Sequence, residues 1–428
     1  TDRIEPDGGQ GEERKENEAG ALAVLDEAMA VYFRAPHSYT GEDMFELNLH
    51  GSYSVVSAVS RALTRRGMRL AEAGEFTKRA FLNGKMDLVQ ADAVMDLINA
   101  ETRRGASAAL EQLEGGLSRR IGAIEEKLLD FASELAAAMD YPEEMEDEVL
   151  SAAPEVLNSA ISRIRDLIDN GNCNKIIREG AKLAILGRPN VGKSSLLNAL
   201  MNAERAIVTN IAGTTRDVLE EKIDLLGLPV RIADTAGIHE TGDAVEKIGI
   251  ERALHEAASA ECVLLLFDGS AGITQEDERL VQKVFGMNCR NIIFVINKCD
   301  LSDCGTAAEQ LKNIAPENVG SISRISCRTG FGLDELKHRI AEAVGLSEGR
   351  AIVTNERHIE CLSAACAELC EAAELFSKGG NAAEMLLPQT ELVAESVGNA
   401  LHCLGEISGR EVSEELLDRI FERFCVGK

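Results

Sequence analysis

No stretch of eighteen apolar residues occurs in the 428-residue chain, so the sequence offers no helix able to cross a bilayer. The opening residues, Thr1-Asp2-Arg3-Ile4-Glu5, carry no apolar signal core. They also lack an initiator Met, so the true N-terminus is expected to lie upstream. None of the eleven cysteines falls into the paired short spacings of a zinc site. Cys366 and Cys370 are four apart on an expected helix, and no second pair follows them. Reduced thiols in a cytosolic protein are the expectation, rather than a disulfide framework. Positive charge is in short supply: 45 Lys and Arg stand against 72 Asp and Glu, a net charge of −27. Such a surface repels nucleic acid in general, because phosphate contacts dominate that affinity. An RNA substrate would have to be held by a local basic patch or by a partner protein.

Hydrophobic content is 45%, and no low-complexity tract dominates, so most of the chain should fold. Its length is too great for one ordinary core and predicts two or three domains. Residues 1–20 are almost free of apolar side chains and read as a loop or tail. Residues 22–25 and 28–33 read as strands of a small α+β unit, and 52–66 as a helix. Residues 86–139 are strongly helical, with Leu110, Leu113, Leu117, Ile121, Ile124, Leu128, Phe131 and Leu135 forming one apolar stripe of a long bundle helix. Tyr141-Pro142 ends it. The acidic run 143–148 reads as a solvated helix start, and 153–179 as another amphipathic helix. After Lys182 short strands alternate with helices: 183–187, 218–225, 230–234, 262–268, 291–297 and 321–326, the βα rhythm of a nucleotide-binding sheet. Helical periodicity returns over 357–377, 389–408 and 413–424, with Ser413 as an N-cap and Glu414 and Glu415 suited to the first turn. The simplest architecture inserts an α/β domain into a discontinuous helical one.

The chain is organised around Gly187-Arg188-Pro189-Asn190-Val191-Gly192-Lys193-Ser194. An apolar strand precedes it and Ser195-Leu196-Leu197 opens a helix, the context a phosphate-binding loop requires. Curled backbone N–H groups and the helix N-terminus attract phosphate oxygens. Lys193 adds a full charge, and the Ser194 hydroxyl suits Mg²⁺. Asp234-Thr235-Ala236-Gly237 ends a strand where a carboxylate can hold the Mg²⁺ shell through water and the Gly237 N–H can meet a γ-phosphate. Asn297-Lys298-Cys299-Asp300 ends another, where Asp300 would accept from the ring N–H and exocyclic amine of guanine, which adenine cannot reproduce. Ser326-Cys327-Arg328 can offer a backbone N–H to the guanine carbonyl. Gly213-Thr214-Thr215-Arg216-Asp217 supplies Thr215 as a second hydroxyl ligand in a loop ordered by the γ-phosphate. Together, in this order, these segments spell a GTPase. Ile238 stands where a water-orienting Gln would otherwise be, so Glu246 is the candidate polar group for hydrolysis. The Asn190 amide, with backbone carbonyls of 209–214, could cage a monovalent cation in the role of an arginine finger.

These residues resemble the MnmE (TrmE) family of tRNA-modification GTPases. The resemblance rests on 187–195, on Ile211-Ala212-Gly213-Thr214-Thr215-Arg216-Asp217 and on Ile248-Gly249-Ile250-Glu251-Arg252-Ala253. It extends to Thr40-Gly41-Glu42-Asp43, to Arg79-Ala80-Phe81-Leu82-Asn83-Gly84-Lys85 and to the C-terminal Phe424-Cys425-Val426-Gly427-Lys428. It implies a Ras-like P-loop G domain (181–345) inserted into a discontinuous helical domain (85–180 and 346–428). A small α+β domain (1–84) that binds 5-formyltetrahydrofolate and dimerises precedes them. The implied activity is GTP hydrolysis within a cytoplasmic complex that modifies C5 of the wobble uridine of tRNA, together with a flavin-using MnmG (GidA)-like partner. By matching positions, potassium would be held by Asn190, Thr209, Ile211 and Thr214, and Mg²⁺ by Ser194 and Thr215. Lys193, Thr215 and Glu246 would be catalytic. GTP would further meet Val191, Gly192, Ser195, Asn210, Ala212 and Gly213, besides the strand-end segments above. Folate would meet Glu46, Lys85 and Lys428. Residues 1–20 do not match the family's glycine-rich opening and Arg-bearing strand, so the first domain is expected to be truncated at its start. Cys425 reads either as a thiol near the folate or as a small buried residue packing the last helix. The competing class is a ribosome-assembly or signalling GTPase acting only as a switch; Phe424–Lys428 and Thr40–Asp43 have no role in a bare switch.

Overall fold

The computed structural model describes residues 24–203, 221–233, 254–287, 289, 291–315, 322–344, 355–378 and 387–424. The chain divides into two compact units, Thr1–Met95 with Ser408–Lys428, and Asp96–Ile407.

The first unit pairs β1 (Met29–Phe33) with β2 (Met44–Asn48) as an antiparallel ribbon, Val31 opposite Glu46. α1 (Tyr53–Arg65) and α2 (Glu75–Leu82) follow, then the start of α3 (Leu88–Asn99). Leu88 and Ala91 form an apolar cluster with Leu417, Phe421 and Phe424 from the end of the chain, and Phe81 packs on it. The ring centroids of Phe421 and Phe424 lie 5.0 Å apart, within the range of a favourable aromatic pair. The late residues come from α13 (Glu414–Phe421), whose Ser413 hydroxyl accepts from the Leu416 N–H at 3.3 Å as expected of an N-cap. Leu25 and Val24 lie outside any strand, unlike the expectation for 22–25; residues 22 and 23 are outside the described residues.

The second unit holds helices and the main sheet. α4 (Arg103–Leu113) and α5 (Gly116–Asp140) replace the single long helix that the apolar stripe predicts. The break falls at Gly115, whose φ of +80° a non-glycine residue would adopt only with strain. Leu117, Ile121, Ile124, Leu128, Phe131 and Leu135 are buried at alternating steps of four and three, as an antiparallel bundle seam requires. α5 stops at Asp140, before Pro142, as the sequence indicates. α6 then runs from Pro142 to Glu179, with Pro142 in its first turn, where no N–H is needed, and Pro154 inside it. It therefore takes in the acidic run and begins earlier than the expected 153. α6 packs on α5 and on α11 (Glu356–Lys378), so a helix before the sheet and one after it share a bundle. α12 (Leu387–Ser408) closes this part of the chain.

Between these helices lies a six-stranded sheet of order β4-β5-β3-β6-β7-β8. β3 (Ala181–Leu186), β6 (Cys262–Asp268), β7 (Ile292–Asn297) and β8 (Ile322–Arg324) run parallel, with β5 (Leu228–Ala233) parallel to β3. Only β4 (Glu221–Leu225) is antiparallel, paired with β5 as a hairpin. β3 and β6 are almost wholly buried, which is why they read as continuous apolar runs. α7 (Lys193–Ala203), α8 (Gln275–Phe285), α9 (Gly305–Ile314) and α10 (Leu333–Ala343) complete the α/β layer. Thr274 and Asp277 form a capping box at α8, and Glu276 and Glu278 add negative charge to that first turn. On the far edge Lys222 of β4 pairs with Glu101, and Ala108 of α4 enters the cluster beneath Leu225 and Leu228. The Ras-like α/β layer thus interrupts a discontinuous helical bundle.

Candidate functional site

Loops after β3, β7 and β8 meet at the carboxyl ends of the parallel strands, the customary ligand side of such a sheet. A cavity of about 570 Å³ opens there. The first loop contributes Asn190, Gly192, Lys193, Ser194 and Ser195; the second Asn297, Lys298, Asp300 and Leu301; the third Cys327 and Arg328.

The loops are tied to one another by side-chain hydrogen bonds. The Asn297 amide donates to the Val191 carbonyl at 3.0 Å, and its oxygen accepts the Cys327 N–H at 3.2 Å. Asn297 is buried, so leaving either bond unmade would carry a desolvation cost. Gly192 sits at φ +105°, and a Cβ there would come 2.3 Å from Asn297 Nδ2, so no other residue fits without shifting the second loop. Val191 itself is buried in the core beneath the loop rather than lining the cavity.

Lys298 adopts φ +65° and donates from Nζ to the Asn190 carbonyl at 2.9 Å and to Asp268 Oδ2 at 2.6 Å. Burial raises the Asp268 pKa, but Lys298 and Ser270 outweigh it and hold the carboxyl below its ordinary value. Asp300 accepts from the Ser326 hydroxyl at 2.7 Å, and that hydroxyl accepts in turn from the Thr329 N–H at 3.3 Å. One carboxylate is thereby oriented at the cavity mouth. Lys193 Nζ donates to the carbonyls of Gly187 at 2.8 Å and Arg188 at 2.9 Å, which places its charge over the phosphate loop. Burial pushes the Cys327 thiol up to about 11, so it stays neutral.

A cavity with this lining can accept a polyanion at the α7 N-terminus and a planar base with adjacent donors at Asp300. The structure brings together Asn190, Gly192, Lys193, Ser194, Ser195, Asn297, Lys298, Asp300, Cys327 and Arg328 around the cavity, with Ser326 behind Asp300. Thr209, Asn210, Ile211, Ala212, Gly213, Thr214, Thr215, Asp234, Thr235, Ala236, Gly237, Glu246, Cys425 and Lys428 lie outside the described residues. In the first unit the Lys85 ammonium donates to the Pro36 carbonyl at 2.9 Å, and the Asn83 amide to the Thr40 carbonyl at 2.8 Å. Glu46 stands exposed on β2.

The family model of the MnmE helical domain matches residues 88–425, and that of the GTP-binding protein TrmE N-terminus matches 12–85. The chain belongs to the MnmE family. It is 43% identical to the tRNA modification GTPase MnmE of Moorella thermoacetica over 94% of its own length and 86% of the relative's. The MnmE of Aquifex aeolicus is 42% identical over 94% and 87%, and that of Alkaliphilus oremlandii 40% over 95% and 86%. Among solved structures, Era of Aquifex aeolicus bound to GDP·AlF₄⁻ overlaps 44% of this chain and 66% of its own at 27% identity. The TM-score is 0.33. With phosphate loop and guanine loop joined over one cavity, this MnmE-family chain is a P-loop GTPase.

Sequence reasoning missed three contributors. Asp268 ends β6 beside the guanine loop, and a carboxylate at a strand end was the available signal. Leu301 lines the cavity directly after Asp300. Arg188 reaches Asp277, 89 residues away, and no local pattern announces such a pair. Among the described cysteines, the expectation of reduced thiols is corrected for one pair: Cys299 and Cys304 form a disulfide, their Cα atoms 5.6 Å apart across the turn between β7 and α9. Cys262, Cys289, Cys327, Cys361, Cys366, Cys370 and Cys403 are free.

Proposed function

We propose that this chain is the GTP-hydrolysing component of a cytoplasmic complex that modifies C5 of the wobble uridine of tRNA. The observation that supports the reading is the match to the MnmE family models over 12–85 and 88–425, together with a cavity whose two loops are tied by the bond from Asn297 to the Val191 carbonyl. In this reading the G domain spans 181–345. Asp300 reads the guanine edge, Lys193 holds the distal phosphates, and Glu246 orients the attacking water. Ser326, Cys327 and Arg328 flank the base.

The donor set fits the ions that such a GTPase uses. Ser194 opens α7 at the cavity with a hard hydroxyl oxygen suited to Mg²⁺, with Thr215 as its companion. Asn190 lines the cavity at φ +64°, its backbone fixed by Lys298, and offers an amide oxygen for potassium beside Thr209, Ile211 and Thr214. Both ions, when bound, neutralise charge that develops on the phosphates. Potassium stimulation through pairing of G domains in a homodimer belongs to the same reading, as does a flavin-using MnmG-like partner. The cationic Lys85, which donates to the Pro36 carbonyl at 2.9 Å, suits a carboxylate of 5-formyltetrahydrofolate, with Glu46 and Lys428 completing that site.

With a net charge of −27, tRNA must be held by a local basic surface or by a partner protein. Residues 47–71 contain no Asp or Glu, and carry Arg61, Arg65, Arg66 and Arg69, all exposed. Among the described residues no helix is long and apolar enough to cross a membrane.

The test is nucleoside analysis of tRNA from cells lacking the gene. Loss of C5 modification at the wobble uridine is the expected result. Unchanged wobble uridines would remove the reading and leave a GTPase that acts only as a switch.

A further inference from the structure

The bridge between Cys299 and Cys304 sits inside the guanine loop. Cys299 stands between Lys298 and Asp300, and Cys304 is the N-cap residue of α9, 3% exposed. A Cα separation of 5.6 Å is one that a disulfide spans without backbone movement. The surroundings are built. The Cys299 N–H donates to the Ile325 carbonyl at 3.1 Å, and the Ser302 hydroxyl to the Gly269 carbonyl at 2.8 Å. A Cβ on Gly269 would come 2.6 Å from Cys304 Sγ, so the end of β6 lies directly on the bridge. Asp300 and Leu301, which line the nucleotide cavity, lie inside the covalent ring.

We propose that Cys299 and Cys304 form a reversible thiol–disulfide site that sets how tightly the chain holds guanine nucleotide. The oxidant class is a low-molecular-weight disulfide such as oxidised glutathione. The partly exposed Cys299 loses its proton and attacks one sulfur of that disulfide, forming a mixed disulfide and releasing one thiolate. The Cys304 thiolate then attacks Cys299 Sγ, closing the bridge and releasing the second. Two protons leave the protein, and two electrons reduce the external disulfide. Excess thiol runs the steps backward.

The effect on binding follows from chain entropy. With the bridge closed, the turn carrying Asp300 is restricted at both ends. With it open, Asp300 and Leu301 regain backbone freedom that nucleotide binding must freeze again. The bridged protein therefore releases nucleotide more slowly. The inference requires guanine-nucleotide binding but not the tRNA role.

The full chain is equilibrated in glutathione mixtures from reducing to oxidising. Release of a fluorescent GDP analogue is timed, and the bridge is counted by mass spectrometry of peptides cut without reduction. Release from the bridged protein should be about five-fold slower, the factor that about 1 kcal/mol of ordering produces. Cys304→Ser should release at the fast rate in every mixture. Cys299→Ser should also lose the redox response, which covers a disturbance of α9 by the first variant. The proposal is overturned if oxidising mixtures form no bridge, or if bridged protein releases GDP at an equal or faster rate. It is equally overturned if Cys304→Ser still responds to the mixtures, since another thiol would then carry the effect.

Discussion

Arg188 of the phosphate loop donates from Nε to Oδ1 of Asp277 at 2.7 Å, and Asp277 is fully buried at the first turn of α8. The other oxygen of Asp277 accepts from the Thr274 N–H and hydroxyl, both at 2.9 Å. One carboxylate thus caps a helix and anchors the loop that holds the phosphates. Removing it leaves a guanidinium that is mostly buried, together with two unpaired donors. Asp277→Ala should therefore lower stability by about 2–4 kcal/mol, read from urea denaturation of the full chain. Asp277→Asn, which keeps an acceptor for the cap, should lose less. Equal, small losses in both would show that the anchor carries no weight.

Asp300 accepts from the Ser326 hydroxyl at 2.7 Å, and in the proposed function it takes two hydrogen bonds from guanine. An amide in its place presents a donor where guanine also has one. Asp300→Asn should weaken GDP binding about a hundredfold or more, while xanthosine diphosphate, with a carbonyl in place of the exocyclic amine, should bind the variant better than GDP does. Calorimetry with both nucleotides checks this. Undiminished GDP affinity would take base recognition away from Asp300.

Hydrogen bonds from Arg69, at 2.6 and 2.7 Å, and then from the Glu72 N–H pull the Glu75 carboxyl down from 4.5 to about 2. A carboxylate depressed in the folded state contributes stability above its unfolded value, and that stability is lost as pH falls from near 4.5 through about 2. Melting temperature should fall over that window, and Glu75→Gln should flatten the fall while lowering stability at neutral pH. Superimposable acid limbs for the two proteins would contradict the assignment.

The arginines of α1 and its C-terminal turn are the surface proposed for tRNA. Arg61→Gln/Arg65→Gln/Arg66→Gln should reduce tRNA affinity and lower the slope of log K against log salt by about two, with GTP turnover unchanged. An unaltered slope would place tRNA elsewhere on the chain or on its partner.

The parts of the site legible in the sequence are those written as contiguous residues. The phosphate loop and the guanine loop each follow an apolar strand, and backbone geometry at a strand end turns four or eight adjacent residues into one binding element. The helices with regular apolar spacing were legible for the same reason, though spacing alone carried the stripe from Leu110 to Leu117 straight through the bend at Gly115. What spacing could not show was the partner of each element. Phe421 and Phe424 pack with Leu88, Arg188 reaches Asp277, and Lys222 meets Glu101, all between segments remote in sequence. The Cys299–Cys304 bridge is close in sequence, yet its spacing resembles neither a metal motif nor a disulfide framework. The turn between β7 and α9 brings the two Cα atoms to 5.6 Å.

Everything in the functional account depends on a guanine nucleotide being cleaved in the cavity between β3, β7 and β8. The direct measurement is steady-state turnover by the full chain, with GTP or ATP, in potassium and then in sodium at equal ionic strength. The account predicts phosphate release from GTP alone, and faster in potassium. Equal turnover of ATP would contradict the role of Asp300, and equal rates in the two salts would contradict the cation cage at Asn190.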